Sequence, residues 1–364
     1  MSEQIKVIIA IGGTGGHVFP GCNLANYLVE KKYNVKLVTD TRGFRFLKEF
    51  TNFNISILPS MPLKTKNIFK FFLSFSLILY SVVRSVIFLL VSRPSIIFGM
   101  GGYASFPICI AASLLRIKFV IYENNFVIGK ANKYLLPFAN KILVSNDELE
   151  GIPEKYKEKI VLIGNIIKKE IINFTNMSVE KNDKRLSILV LGGSQAAKIF
   201  AEILPNIFSQ CLNEGIQLKI IQHCLPSQND MLKKFYENIN LDFEIFNFSN
   251  NLIEYFSKVN LAITRSGSSM LAELTNANIP FISVPLPSSA DNHQLKNAIY
   301  YEKNGYSYLI EEKFLNKELF GLIKNINANK SILNKISAKQ GQHSDKSVYE
   351  NIDKVIKSLN NEKY

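Results

Sequence analysis

A chain of 364 residues, 47% of them hydrophobic, has material for two cores and is not a disordered or low-complexity polypeptide. Its 43 Lys and Arg against 30 Asp and Glu leave a formal charge of +13, which suits an anionic partner such as nucleic acid, a phosphorylated ligand or an acidic membrane surface. The alternative is a solvated surface biased towards Lys. Cys22, Cys109, Cys211 and Cys224 are too far apart for paired CxxC metal ligation and too few to staple a chain this long, so they are expected to be reduced cytosolic thiols.

Glu3 precedes the first apolar run, IKVII, and a glycine loop stands where a cleavage site would be, which predicts a first strand and not a signal peptide. The run leads into AIGGTGGHVFP, residues 10–20. A glycine loop between strand and helix lets backbone N–H groups approach a phosphate, and the helix start adds positive potential. The competing reading is a tight turn with no ligand. Gly13, Gly15 and Val18 miss the third position of a dinucleotide fingerprint, although Asp40, closing VKLVTD, falls near the place of a ribose-binding acid and keeps a nicotinamide enzyme open.

The segment IFKFFLSFSLILYSVVRSVIFLLV, residues 68–91, is interrupted by Lys70 and Arg84, leaving 13 uncharged residues from Phe71 to Val83. That is short of the roughly 20 a spanning helix needs. As a helix apolar on nearly every face it is either buried on all sides or rests one face on lipid, and the basic excess favours lipid. SIIFGMGGY adds a further strand and glycine loop. NFTNMSVEKNDKR, residues 173–185, is polar without apolar periodicity and reads as part of a linker.

From Leu186, LSILVLGGSQAAK repeats the grammar of the N-terminus. Ala197 stands where a P-loop needs glycine and Ile199 where it needs Ser or Thr for magnesium, which excludes a P-loop NTPase. In TRSGSSMLAEL, residues 264–274, Ser266 to Ser269 form a polar turn after an aliphatic strand. Glu273 follows about 6 Å further along the helix axis, placed to take a pair of sugar hydroxyls while anionic oxygens sit at the helix start. An ordinary helix with a solvent-facing glutamate is the alternative. PLPSSADNHQLKNA carries Asp291, Asn292, His293, Gln294 and Asn297, a set suited to reading a sugar and not to ligating a metal, or else a plain surface helix start.

The two strand, glycine-loop and helix units predict two Rossmann-like domains in tandem. GGTGGHVFP, GMGGYASFP, GGSQAA, TRSGSSMLAEL and PSSADNHQLKNA resemble, in order and over nearly the whole chain, the family 28 glycosyltransferases of bacterial cell-wall synthesis. The resemblance implies the α/β glycosyltransferase B fold, two Rossmann-like domains with parallel sheets facing across a cleft. It implies an acceptor- and membrane-facing domain over 1–165, a linker over 166–185, a UDP-GlcNAc-binding domain over 186–345, and a C-terminal helix over 346–364 able to pack back on the first domain.

The activity implied is inverting transfer of GlcNAc from UDP-GlcNAc to the C4 hydroxyl of the MurNAc sugar of lipid I, giving lipid II in peptidoglycan synthesis. On this resemblance Glu273 holds the uridine ribose, Ser194 lies by the diphosphate, Gln195 belongs to the donor set, and His293 and Gln294 read the donor sugar. Thr14, Gly15, Gly16, Asn125, Lys168, Ser268 and Ser269 complete the donor set. Gly13, Gly101, Gly102, Tyr103 and again Asn125 face the acceptor, and His17 is the general base or a cation for the acceptor pyrophosphate. The sequence departs from the family pattern at YENN, where HEQN is usual, at GNIIK, where GNPVR is usual, and at Met270, where threonine is usual. Lys168 thus keeps a charge but loses bidentate geometry.

No cofactor is implied. No two aspartates are separated by one residue, so there is no DxD metal motif, and helix starts are expected to stabilise the departing UDP. The expected partners are UDP-GlcNAc, the lipid I acceptor, an anionic membrane surface at the cytoplasmic face of the inner membrane, and cell-wall synthesis proteins; nucleic acid is not among them. A transferase acting on another lipid, a UDP-GlcNAc epimerase and a non-turning-over nucleotide-binding regulator are the rival readings.

Overall fold

The computed structural model describes residues 4–47, 52–61, 68–174, 185–193, 198–247, 249 and 251–361. The chain divides into two compact units, Met1–Ile167 together with Lys346–Tyr364, and Lys168–Asp345. In the first unit the elements alternate as β1 (Lys6–Ala10), α1 (Gly15–Glu30), β2 (Asn34–Thr39), α2 (Thr41–Leu47), β3 (Asn54–Ile57), α3 (Ile68–Ser92), β4 (Ile96–Gly99), α4 (Ser105–Leu114), β5 (Phe119–Glu123), α5 (Lys130–Leu135), β6 (Lys141–Val144) and β7 (Ile160–Leu162). The second unit opens with α6 (Lys169–Ile172) and continues β8 (Leu186–Leu191), α7 (Lys198–Asn213), β9 (Leu218–His223), α8 (Asn229–Asn238), β10 (Asp242–Phe246), α9 (Ile253–Phe256), β11 (Leu261–Thr264), α10 (Ser268–Asn276), β12 (Phe281–Ser283), α11 (His293–Lys303), β13 (Ser307–Leu309), α12 (Leu315–Ala328) and α13 (Ser331–Gln340). The last helix, α14 (Val348–Asn361), belongs to the first unit.

Each unit is built on one parallel sheet, ordered β3-β2-β1-β4-β5-β6-β7 in the first and β10-β9-β8-β11-β12-β13 in the second. The aliphatic runs form the central strands because both of their faces are covered by helices. Every residue of β5 and β8 is buried, the pattern of a doubly covered parallel strand. Strand order reverses between β1 and β4 and again between β8 and β11. In open α/β sheets ligands bind beyond the carboxyl ends of the strands at such switch points, and the loops leaving these four strands are the four glycine-containing motifs of the sequence.

α14 docks against α1: the Tyr349 ring stacks on Tyr27 at 4.5 Å, the Tyr27 hydroxyl donates to Asp353 at 2.6 Å, and the Tyr349 hydroxyl donates to the Ile167 carbonyl at 2.6 Å. The expected linker over 166–185 is corrected at its start. Lys169–Ile172 is helical, with Ile171 and Ile172 buried, because these two apolar side chains have a core to join beside α10. Residues 175–184 of that stretch lie outside the described residues.

Segment 68–91 forms one continuous helix, α3, through Arg84, which is exposed; Phe71–Ser92 is long and apolar enough to cross a membrane by length and composition. It is not buried on all sides. Ser74, Ser81, Ser85 and Leu89 form the buried stripe of a helix that packs along α4, and the Ser81 and Ser85 hydroxyls donate to the carbonyls of Leu77 and Ser81 at 2.6 and 2.7 Å. Small residues let helix backbones approach closely, and these back-bonded hydroxyls leave no donor unsatisfied. The opposite face carries Phe72, Phe75 and Leu79 at 60, 53 and 56% exposure.

Candidate active site

In the first unit the loop after β1 and the loop after β4 meet around His17. α1 begins at Gly15, and Thr14 at its cap position makes no side-chain capping bond, so the helix start presents backbone amides. His17 sits in the first turn with its ring against the backbone of the second loop: a Cβ on Gly101 would lie 2.9 Å from its Cε1 and Nδ1, and one on Gly102 would lie 2.6 Å from the Gly12 carbonyl oxygen. Both glycines also have φ of +90° and +75°, so side chains are excluded there twice over. Tyr103 follows, partly exposed, beside the same helix start.

Asp40 is in the place expected of a ribose-binding acid but cannot do that work. Its carboxylate is buried and accepts hydrogen bonds from Gly43 N at 2.7 Å, Ser60 Oγ at 2.8 Å, Arg42 Nη2 at 2.7 Å and Nε at 3.0 Å, and Gly13 N at 3.4 Å. Burial raises its pKa, but the Gly43 amide, Arg42 and Ser60 outweigh it and hold the carboxyl below its ordinary value. The nicotinamide reading loses its one supporting residue. Gly13, expected at the acceptor, has its amide turned towards this carboxylate.

Glu123, absent from the sequence-derived set, organises the end of β5. One carboxylate oxygen accepts from the Asn125 amide at 3.2 Å and its side chain at 2.9 Å; the other accepts from Gly129 N at 2.8 Å and Asn132 Nδ2 at 3.0 Å. Asn124 donates to the Gly16 carbonyl at 3.2 Å, which ties this loop to the start of α1. His17, Thr14, Gly15, Gly16, Gly101, Gly102, Tyr103 and Asn125 therefore gather beyond the carboxyl ends of the central strands β1, β4 and β5. The one letter that marked Glu123 was a carboxylate ending a wholly apolar strand.

In the second unit α10 starts at Ser268 after Gly267, again with no side-chain cap. Gly267 has an ordinary φ of −70° and, among the described residues, open space where a Cβ would stand. Asn297, buried on α11, donates to the Ser266 carbonyl at 3.1 Å and fixes the turn. Ser268 is buried, Ser269 partly exposed, and Glu273 stands one turn beyond. Glu273 is half-buried as a residue, but its carboxyl is withdrawn from water and pushed up to about 7, with the Lys168 ammonium opposing the shift.

His293 Nδ1 donates to the Ala290 carbonyl at 2.7 Å, which fixes the orientation of the ring. Gln294 Oε1 accepts from Leu286 N at 3.0 Å and holds the loop in which Asp291 and Asn292 adopt left-handed conformations. Arg265 was also not anticipated. It is buried over the Phe200 ring, ion-paired with Glu312, and donates to the carbonyls of Val284 and Pro285 at 3.2 Å, joining the α10 turn to the strand that leads into this loop. Ser194 and Gln195 lie outside the described residues. Lys168, Ser268, Ser269, Glu273, His293 and Gln294 thus belong to the second unit, while Thr14, Gly15, Gly16 and Asn125, expected to share in donor binding, belong to the first.

Comparison with known proteins matches residues 7–144 to the glycosyltransferase family 28 N-terminal domain and residues 187–352 to the glycosyltransferase family 28 C-terminal domain. The UDP-N-acetylglucosamine–N-acetylmuramyl-(pentapeptide) pyrophosphoryl-undecaprenol N-acetylglucosamine transferase of Pelagibacter ubique (strain HTCC1062) is 34% identical, over 88% of this chain and 90% of that protein. The protein of the same name from Rickettsia canadensis (strain McKiel) is 35% identical over 84% of this chain and 86% of its own length. Among solved structures, Acinetobacter baumannii MurG matches with a TM-score of 0.77 at 24% identity, covering 97% of this chain and 99% of that one.

Proposed function

Because the chain belongs to glycosyltransferase family 28, we propose that it transfers GlcNAc from UDP-GlcNAc to the C4 hydroxyl of the MurNAc sugar of an undecaprenyl-pyrophosphoryl acceptor, converting lipid I to lipid II. The observation that carries the reading is the uncapped start of α10, with open space at Gly267 and Glu273 one turn on. That arrangement suits a nucleoside diphosphate. Phosphate oxygens occupy the helix start and the ribose hydroxyls donate to the Glu273 carboxylate, while His293 and Gln294 address the sugar.

In the reaction the acceptor O4 attacks C1 of GlcNAc from the face opposite UDP. The O4–C1 bond forms as the C1–phosphate oxygen bond breaks, inverting the anomeric centre. His17, packed against the Gly101–Gly102 backbone, takes the proton from O4 as the bond forms. Charge on the departing UDP is met by the α10 amides and Lys168, dipoles and a cation already in place before the reaction.

The exposed apolar face of α3 supports docking on an anionic bilayer at the cytoplasmic face of the inner membrane, where a lipid-linked acceptor is reached. Arg84 on that helix, Arg93 just after it and Arg116 are exposed, and the chain carries +13 overall. The test of the catalytic reading is direct. Purified protein incubated with UDP-GlcNAc and a lipid I analogue should yield the GlcNAc-MurNAc disaccharide product and UDP in equal amounts; UDP release without acceptor, or no disaccharide, would sink it.

A further inference from the structure

The geometry points to Arg42, a residue not assigned by the resemblance, as the fixed cation that holds the acceptor diphosphate in the first unit. This rests on the transferase reading only for the identity of the ligand; the anion site itself is argued from the first unit. Arg42 is the second residue of α2, three residues beyond the carboxyl end of β2. Its guanidinium is fixed twice. Nε and Nη2 both donate to the buried Asp40 carboxylate, at 3.0 and 2.7 Å, and the group lies over the Tyr103 ring with Cζ 5.6 Å from the centroid.

The side chain is nevertheless 43% exposed, against 2% for its Asp40 partner. The carboxylate is thus sunk behind amide, hydroxyl and guanidinium donors, while the Arg42 side chain stays partly open to solvent and its Nη1 has no partner among the described residues. A guanidinium held in this way loses little rotamer freedom on binding an anion. Its neighbours are the elements that suit a diphosphate: Tyr103 follows the left-handed glycines at 101 and 102, whose backbone packs on His17, and Gly13 in the loop before α1 donates to the same Asp40 carboxylate. Without Arg42 this end of the central strands offers the ligand backbone amides and a histidine but no permanent charge among the residues assigned to it.

The ligand class is an organic diphosphate, and inorganic pyrophosphate is the probe. With UDP at saturation to fill the second unit, calorimetric titration of pyrophosphate into the full-length protein should show binding that weakens about tenfold or more in Arg42→Ala, the effect of losing charge-assisted hydrogen bonds. In steady-state kinetics the same variant should raise the acceptor KM by a similar factor and leave the donor KM within about twofold. Arg42→Lys should recover only part of the loss, because an ammonium neither forks nor stacks. If Arg42→Ala does not fold, Arg42→Lys carries the test by itself and must bind pyrophosphate several-fold more weakly than the parent. Pyrophosphate affinity within twofold of the parent in a normally melting variant overturns the assignment, as does an effect on donor KM equal to that on acceptor KM. If the parent protein makes no disaccharide, the transferase reading fails, and the pyrophosphate titration still decides whether Arg42 forms an anion site.

Discussion

Lowering the pH from 8 to 6 should weaken binding of UDP-GlcNAc about tenfold, and the cause is Glu273. Burial pushes its carboxyl up to about 7 in the unliganded protein, although Lys168 pulls the other way. A carboxylate that accepts two ribose hydroxyls must be ionised, so the donor binds the deprotonated form and has to displace a proton when one is present. With a value of about 7, roughly nine carboxyls in ten are ionised at pH 8 and one in ten at pH 6, and the ratio of those populations is the factor expected in the apparent dissociation constant.

Calorimetry measures both parts of this. UDP-GlcNAc is the ligand of choice because its diphosphate is esterified at both ends and does not titrate in this range, unlike that of UDP. At pH 6, binding in buffers of different ionisation enthalpy should release close to one proton, and at pH 8 almost none. Glu273→Gln should bind about tenfold or more weakly at pH 8 and lose the pH dependence altogether. The same shift bears on folding with a defined sign. A carboxyl raised from 4.5 to about 7 favours the protonated folded state, so its contribution is present below pH 4.5 and is lost as the pH rises through 7. The glutamine variant should lack that decline. Donor affinity that stays flat between pH 6 and 8, with no proton released, would remove Glu273 from the ribose.

Three further outcomes are expected. His17→Ala should lower kcat by about 10² to 10⁴ with an unchanged melting temperature if the imidazole is the general base; a rise in acceptor KM alone would make it a pyrophosphate ligand instead. Gly267→Ala should lower the melting temperature only slightly, through a poorer N-cap, since a Cβ there meets nothing among the described residues, but raise donor KM about tenfold by occupying phosphate space; an unchanged donor KM would place the diphosphate elsewhere. Replacing Phe72, Phe75 and Leu79 together with Ser should release the protein from anionic vesicles in co-sedimentation while turnover of a water-soluble short-chain acceptor persists, and retention on vesicles would move the docking face off α3.

The sequence was most legible where one physical cause dominates. IKVII and LSILVL are buried on both faces and read as central parallel strands, and the loops that follow them carry glycines because backbones approach closely there. It was least legible where a residue's job depends on a partner far along the chain. Ser74, Ser81 and Ser85 weaken the apolar pattern of α3 on paper, yet they are its buried side, because α4 supplies a surface that small residues can approach. Lys169–Ile172 sits beside a polar stretch and was read with it, but Ile171 and Ile172 find a core next to α10, almost a hundred residues later. Asp40 was correctly located at the end of β2 and misjudged in role, since Ser60 and the α2 amide that consume its oxygens cannot be inferred from spacing.

The glycines show why a motif and its chemistry come apart. Gly101 and Gly102 are required by the protein itself: positive φ and the nearness of His17 and Gly12 exclude a side chain whether or not a ligand ever arrives. Their presence therefore argues for a particular packing of the histidine and only through it for catalysis. Gly267 is different, because its φ is ordinary and no atom of the described residues lies within 4 Å of a Cβ there, so neither backbone strain nor their packing requires it. Its place as the N-cap of α10, where glycine is favoured over alanine, accounts for it locally, and the open space leaves room for a ligand at the helix start. It lies at a helix start without a side-chain cap, with the raised carboxyl of Glu273 one turn away, and a bound diphosphate followed by a ribose would use the open space and that carboxyl together.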